Sequence, residues 1–220
     1  MTATIRSAPA RDRILAAARQ LVTAHGFAAT TIDAVLAAAG ASKGAFFHHF
    51  PSKAALGRAL VDEYAASDVA VLDAYLAAAE ASSDDPGEQV VEFLRQFEAA
   101  AGDVVAAQPA CLFISFIYES ELAGAGTDEV VRDAVLTWRR RLLDKLEQAA
   151  TTRPRLAVVD LAALADQVFT VFEGAFLLVR ATDDPTAMRR QLAHLRHYIE
   201  LLCDTDCGAL PTGAGVGKRR

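Results

Sequence analysis

Thr31-Ile32-Asp33-Ala34-Val35-Leu36-Ala37-Ala38-Ala39-Gly40-Ala41-Ser42-Lys43-Gly44-Ala45-Phe46-Phe47-His48-His49 holds two short helical segments divided by one glycine. Thr31 stands where an N-cap hydroxyl belongs, and Ile32, Val35 and Leu36 fall on one face at three- and four-residue steps. Gly40 stops that helix after two turns. Ser42 caps the next, over Lys43–His49, and Pro51 keeps it from propagating. Two helices across a tight glycine turn make a helix-turn-helix. At its amino end the second helix offers a hydroxyl (Ser42), a cation (Lys43) and free backbone N–H groups whose dipole favours phosphate. Gly44 and Ala45 have almost no side chain, which lets the backbone approach the floor of a groove. Lys43 is then the candidate for a base contact, donating to guanine O6 or N7. His48 and Lys53 fall where phosphate walls would stand, whereas Phe46 and Phe50, four apart, face the core of this small head.

Reading outward, Leu15, Ala18, Leu21 and Val22 define an amphipathic helix over Arg11–His25, ended by Gly26. Ser52 opens a fourth helix that nothing breaks before Ser82-Ser83-Asp84-Asp85-Pro86-Gly87. It runs for about 28 residues, ~42 Å at the helical rise, long enough to join a head to a separate body. Beyond it the pattern predicts helices at Glu88–Gln108, Ala110–Leu122, Asp128–Ala150, Leu156–Arg180 and Thr186–Asp204. Period-2 alternation is not sustained anywhere, so the fold class is all-α: a three-helix head and a helical-bundle body. Residues 1–55 form the head, 56–207 the body, and 208–220 read as a disordered tail.

Charge divides along the same line. The chain is net −6, yet residues 1–60 hold seven basic and two acidic side chains, net +5, leaving −11 on the remainder. A basic head on an acidic body fits a head that meets a polyanion. The 53% hydrophobic content is inflated by alanine, the best helix former. The longest uncharged run, Val104–Tyr118, is interrupted by Pro109 and is shorter than the ~18 residues of a membrane span. Arg11, Asp12 and Arg13 occupy the place of a signal-peptide core, so a cytoplasmic protein without membrane contact is expected. Three cysteines make no disulfide framework.

Gly26-Phe27-Ala28-Ala29-Thr30-Thr31-Ile32, followed by Ala39-Gly40-Ala41-Ser42-Lys43-Gly44-Ala45-Phe46-Phe47-His48-His49-Phe50-Pro51-Ser52-Lys53, resembles the TetR family of bacterial transcriptional repressors over about residues 10–60. The resemblance implies a homodimer that binds a palindromic operator in double-stranded DNA, dimerises through its last two helices and carries a small-molecule effector pocket in the body. It places Thr31 at a backbone phosphate, Ser42, Lys43, Gly44 and Ala45 at the major groove, and His48 and Lys53 at flanking phosphates. Where the family usually has a tyrosine this chain has Phe47, which removes one phosphate hydrogen bond worth roughly 0.5–1.5 kcal/mol per half-site. Leu36 stands where a smaller residue is common.

In the body, Leu161, Leu164, Val168, Val171, Ala175 and Leu178 form one stripe, and Met188, Leu192, Leu195, Ile199 and Leu202 another. With few other elements to cover them, a four-helix interface between two chains is expected, with Leu164, Val168, Val171, Leu192, Leu195 and Ile199 in it. The alternative is that both stripes are buried within one chain. By the same family resemblance Cys111, Phe116, Glu119, Trp138, Phe169, Phe172 and Glu173 line the effector cavity, which suits a small apolar or amphipathic molecule. Glu119 and Glu173 are carboxylates on apolar faces and want a partner, either a cationic or hydrogen-bonding ligand or Arg139 or Arg180. Cys111 in a first helical turn would have its thiol pKa lowered by the dipole, giving an alternative regulator that senses redox state or electrophiles. His194, His197, Cys203 and Cys207 fit no zinc pattern, so no metal and no cofactor are expected. Gly213-Ala214-Gly215-Val216-Gly217-Lys218-Arg219 imitates a phosphate loop but lacks the hydroxyl residue after the lysine. No catalytic motif appears, so an enzyme is not expected. A helical adaptor without a DNA role would leave the basic, small-residue reading helix without a reason.

Overall fold

The computed structural model describes residues 8–108, 110–119 and 126–204, and among these every regular element is helical. In chain order these are α1 (Ala10–His25), α2 (Ile32–Ala39), α3 (Lys43–His49), α4 (Lys53–Ser82), α5 (Pro86–Ala107), α6 (Leu112–Tyr118), α7 (Thr127–Ala150), α8 (Leu161–Thr182) and α9 (Ala187–Cys203). The predicted starts of the head helices are realised atom by atom. Thr31 Oγ1 accepts from the Ala34 N–H at 3.1 Å, Ser42 Oγ from Ala45 at 3.1 Å and Ser52 Oγ from Ala55 at 3.0 Å. Gly40 ends α2 in the left-handed conformation, φ 59°, where a side chain would be strained. Asp85 caps α5 by accepting from both Gly87 and Glu88, with Pro86 in the first turn.

Two boundaries differ from the sequence pattern. The expected helix over Leu156–Arg180 breaks into a single 3₁₀ turn at Leu156–Val158 and α8, because the Asp160 side chain accepts from the Ala163 N–H and sets a new start. The helix expected over Ala110–Leu122 is reduced to Leu112–Tyr118, with Cys111 as its N-cap residue and Glu119 just past its end. The end of that prediction, most of the Gly124-Ala125-Gly126 loop, the proposed tail 208–220 and Cys207 lie outside the described residues.

In the head, α1 packs on α2 and α3, closing over Ile14, Leu15, Val22, Val35, Phe46 and Phe50. In the body, α9 lies along α5, α7 packs on α4, α5 and α8, and short α6 bridges α1, α4 and α7. The buried side chains form one continuous cluster from Ile14 to Leu202, so the core does not stop at the head. The boundary read at residue 55 falls inside α4, whose first turns belong to the head's packing and whose middle belongs to the body. By length and composition α8 could cross a membrane, although Asp166, Glu173 and Arg180 interrupt its uncharged runs. Here it packs between α7 and α9.

The apolar stripes of α8 and α9 are satisfied mostly inside one chain. Leu164, Val168, Leu192, Leu195 and Ile199, expected at a second copy, are already buried within the one chain and offer it little surface. Val171 is half-buried against the same core. The large apolar groups that these two helices leave exposed are Leu177 and Leu201, more than three-fifths exposed, with Leu178 and Tyr198 beside them. One residue of helical phase, about 100°, separates buried Phe176 and Leu202 from exposed Leu177 and Leu201.

Candidate DNA-binding head and effector cavity

At the amino ends of α2 and α3 the hydroxyls of Thr31 and Ser42 use a lone pair for capping, and each keeps its hydrogen to donate outward. Lys43 Nζ lies 3.1 Å from Asp33 Oδ1, with both side chains largely exposed. An exposed pair of this kind contributes about 0–1 kcal/mol, so it orients Lys43 without committing it. A Cβ on Gly44 would meet only Ser42 Oγ, at an ordinary 3.8 Å. The packing of the head therefore gives no steric reason for glycine there. Phe47 is about half exposed and sets its ring edge-on to Phe46, while His48 is exposed beside His49. Thr31, Ser42, Lys43, Gly44, Phe47 and His48 thus share one accessible region, with Ala45 half-buried behind them.

Lys53 departs from expectation. Its ammonium donates to the Ala28 carbonyl at 3.1 Å and sits 4.5 Å from the centre of the Phe27 ring. Partial burial lowers its pKa, against the pull of nearby Glu119. Lys53 thereby spends one of its three donors on holding the α1–α2 turn.

The body encloses a cavity of about 200 Å³ between α4, α5, α7 and α8, closed below by the start of α6. Five of the seven expected lining residues meet there: Cys111, Trp138, Phe169, Phe172 and Glu173. The other two do not. Phe116 is fully buried with its ring 5.3 Å from Phe27, and Glu119 accepts from the Ala28 N–H at 2.5 Å, so both belong to the seam between body and head. The sequence reading missed Tyr64, Asp68 and Tyr75 of α4 and Phe97 and Gln108 of the α5 end. Asp68 carried a legible signal, an acid on the same face as Tyr64 and Leu72 at four-residue steps.

Trp138 Nε1 donates to Asp68 Oδ2 at 2.6 Å, and Gln108 Nε2 donates to the Tyr64 hydroxyl at 3.2 Å. Burial pushes Asp68 up to about 6, with the Trp138 bond opposing it. Burial, with Asp68 adding repulsion, pushes Glu173 up to about 7, while the Cys111 thiol partly offsets the shift. Both Glu173 oxygens are buried and have no hydrogen-bond partner of ordinary geometry among the described residues. A thiol is too weak a donor to replace one. The arginines considered as its partners lie elsewhere: Arg139 forms a bidentate pair with Asp166 at 2.6 and 2.7 Å, and Arg180 is exposed. Cys111 also reverses its expectation. Burial, then the Glu173 charge, raise its thiol pKa well above the ordinary value, so the group is a protonated thiol and not a dipole-stabilised thiolate. Among the described residues no cluster of three or more metal-ligating side chains forms.

A basic helix-turn-helix on a helical body with an enclosed cavity defines a DNA-binding regulator of the one-chain, two-part kind. Residues 14–60 match the model of bacterial regulatory proteins of the tetR family, and residues 86–195 match the tetracyclin repressor-like C-terminal domain. The chain belongs to the TetR family, whose members are transcription regulators and not enzymes. Its fold is similar to that of a regulatory protein TetR from Rhodobacter sphaeroides, at 23% identity and TM-score 0.72 over 86% of this chain and 98% of that one. It is likewise similar to a TetR-family regulator from Agrobacterium tumefaciens, at 23% and 0.70 over 86% and 96%. A TetR regulator from Chloroflexus aurantiacus shares 26% identity at TM-score 0.68 over 87% and 94%. No sequence among the curated proteins matches this chain.

Proposed function

We propose that this regulator is a cytoplasmic, homodimeric repressor that binds a palindromic operator and is released from it by a small apolar or amphipathic effector. The observation that carries the reading is the placement of α4: Lys53 at its start holds the α1–α2 turn of the head, and Tyr64, Asp68 and Tyr75 further along wall the cavity. A molecule that changes the packing around Asp68 therefore acts on the helix that orients the head. Coupling of ~1–3 kcal/mol per site, typical of allostery, lowers operator affinity by tens-fold or more when both subunits respond. Thr31, Ser42, Lys43, Gly44, Ala45, Phe47 and His48 are the DNA-facing set, with the Lys43–Ala45 turn in the major groove. Residues 1–55 act as the head and 56–207 as the body. Leu177, Leu178, Tyr198 and Leu201 supply the apolar face for a second copy, and the two heads are thereby fixed at one half-site spacing.

Selection of random duplex DNA on the full-length protein at about 0.15 M salt tests this. Enrichment of a palindrome is expected, with affinity to it falling steeply as salt rises and Lys43→Ala abolishing specific binding at unchanged helicity. No enrichment from folded protein, or an operator affinity insensitive to Lys43→Ala, overturns the docking.

A further inference from the structure

Two acids line the cavity against a single basic group. Asp68 and Glu173 face it from α4 and α8, and Asp68 is close enough to disfavour ionisation of Glu173. Arg19 is the basic group among the lining residues, and it is already engaged. Its guanidinium donates to Gln108 Oε1 at 3.0 Å and lies 4.9 Å from the centre of the Tyr64 ring. The remaining wall is mostly aromatic and aliphatic. Phe97 stands edge-on to Tyr75, Trp138 and Phe172, with ring centres 5.1, 5.4 and 5.9 Å apart.

We infer that the effector is an organic cation, a protonated amine on an apolar body, whose ammonium is taken by Glu173 and Asp68 beside these aromatic side chains. The inference rests on the effector reading of the cavity and narrows it to one chemical class. Three features select that class. The two buried Glu173 oxygens accept from no ordinary donor among the described residues, and an ammonium brings up to three N–H donors. Aromatic faces attract a cation and leave an anion unaided. A purely apolar occupant would leave the Glu173 acceptors unmet and gain nothing from them, and an anion would meet two acids across a cavity of about 200 Å³. That volume fits a single ring with a short chain.

Trp138 is the chain's one tryptophan and lines the cavity, so its fluorescence reports occupancy directly. Full-length protein is titrated at pH 7.5 with three probes of nearly equal size: 4-phenylbutylamine, 4-phenyl-1-butanol and 4-phenylbutyrate. The amine is expected to bind at least tenfold more tightly than the alcohol, the carboxylate to give no saturable change, and the amine alone to weaken binding to the selected operator. Glu173→Gln is expected to shrink the amine-to-alcohol affinity ratio at least fivefold. Because this is a ratio within one protein, a general loosening of the variant does not produce it, and the wild-type ratio stands as a test if the variant fails to fold. An alcohol or carboxylate that binds as well as the amine, or a ratio unchanged in Glu173→Gln, overturns the cation assignment and leaves the effector cavity standing. No response to any of the three up to millimolar concentration overturns both.

Discussion

The head and the cavity place their working residues in opposite ways. On the head, Ser42, Lys43 and Gly44 are exposed and consecutive, with Thr31 exposed at the start of the helix before, and these two helices would fold the same way with other small or polar residues in most of those places. In the cavity, Tyr64, Asp68, Phe97, Cys111, Trp138 and Glu173 come from five separate stretches of chain, and they also serve as core. A surface that must meet a long polymer can be read from one helix and its caps. An enclosed site exists only after tertiary packing, and each of its residues is at once wall and structural member. Substitutions on the head should therefore separate function from stability, whereas those in the cavity should move both.

The largest effect expected from that contrast is at Gly44. A leucine there meets open space in the free protein, so thermal unfolding should change by less than about 0.5 kcal/mol, as for ordinary surface positions. The same side chain would stand between the α3 backbone and the groove, so operator affinity should fall at least a hundredfold in a binding titration. An affinity near wild type would mean that α3 does not approach DNA at this residue.

Next in size is the joint substitution Leu177→Glu and Leu201→Glu. Both residues are more than three-fifths exposed in the single chain, so helicity should survive while sedimentation shows dissociation of the dimer. Operator affinity should drop in parallel, since one head alone offers too few contacts. Leu192→Glu, by contrast, should unfold the body, because Leu192 is fully buried. If the exposed pair leaves the dimer intact, the partner face lies elsewhere.

The same two helices show what the sequence could and could not convey. Nine helices among the described residues agree in number with the pattern, and the three head caps were legible because a hydroxyl before an apolar turn has one local job. Periodicity also found the stripes of α8 and α9, but it reports which face is apolar and not what covers it. That is why Leu164 and Leu195 read as interface and proved to be core. Asp160 was overlooked because an acid between two apolar runs looks like a solvated position until its carboxylate is seen accepting from Ala163. Glu119 and Glu173 looked alike in sequence, each a carboxylate on an apolar helix. Their fates were decided by which neighbour, head or cavity, α6 and α8 happened to face.

For Glu173 the contrast sharpens into a pH dependence. Its pKa in the folded chain, about 7, and that of Asp68, about 6, both lie above the ordinary carboxylate values near 4. The folded protein thus holds protons that the unfolded chain gives up, so this contribution is fully present below about pH 4 and is lost as pH rises through 6 to 7. The other titratable groups lining the cavity are Arg19, Tyr64, Tyr75 and Cys111, and burial keeps Tyr64 and Cys111 protonated throughout this range. Wild-type stability should therefore decline from pH 5 to pH 8. Glu173→Gln, which has nothing to ionise, should be nearly neutral at pH 5 and stabilising by about 1–3 kcal/mol at pH 8 in denaturant titrations. A stability difference that does not change with pH would show that Glu173 is solvated in the free protein.

The smallest effect lies at the seam where the two regions meet. The Ala28 peptide is held from both sides, its N–H by Glu119 at the end of α6 and its carbonyl by Lys53 at the start of α4. Gly26, two residues earlier, has φ 85°, and a Cβ on it would stand 2.7 Å from Glu119 Oε1. Gly26→Ala should therefore cost about 1–3 kcal/mol, partly from left-handed strain and partly because the carboxylate must leave Ala28. Glu119→Ala should cost only about 0.5–1.5 kcal/mol, since Ala28 is exposed and water can replace the lost acceptor. The two losses share one hydrogen bond, so the double variant should be less destabilised than the sum, close to Gly26→Ala alone. Strict additivity in the double-mutant cycle would mean that Glu119 does not press on the turn. The head and the α6 end would then touch without holding one another, and the route from cavity to DNA would run through α4 by itself.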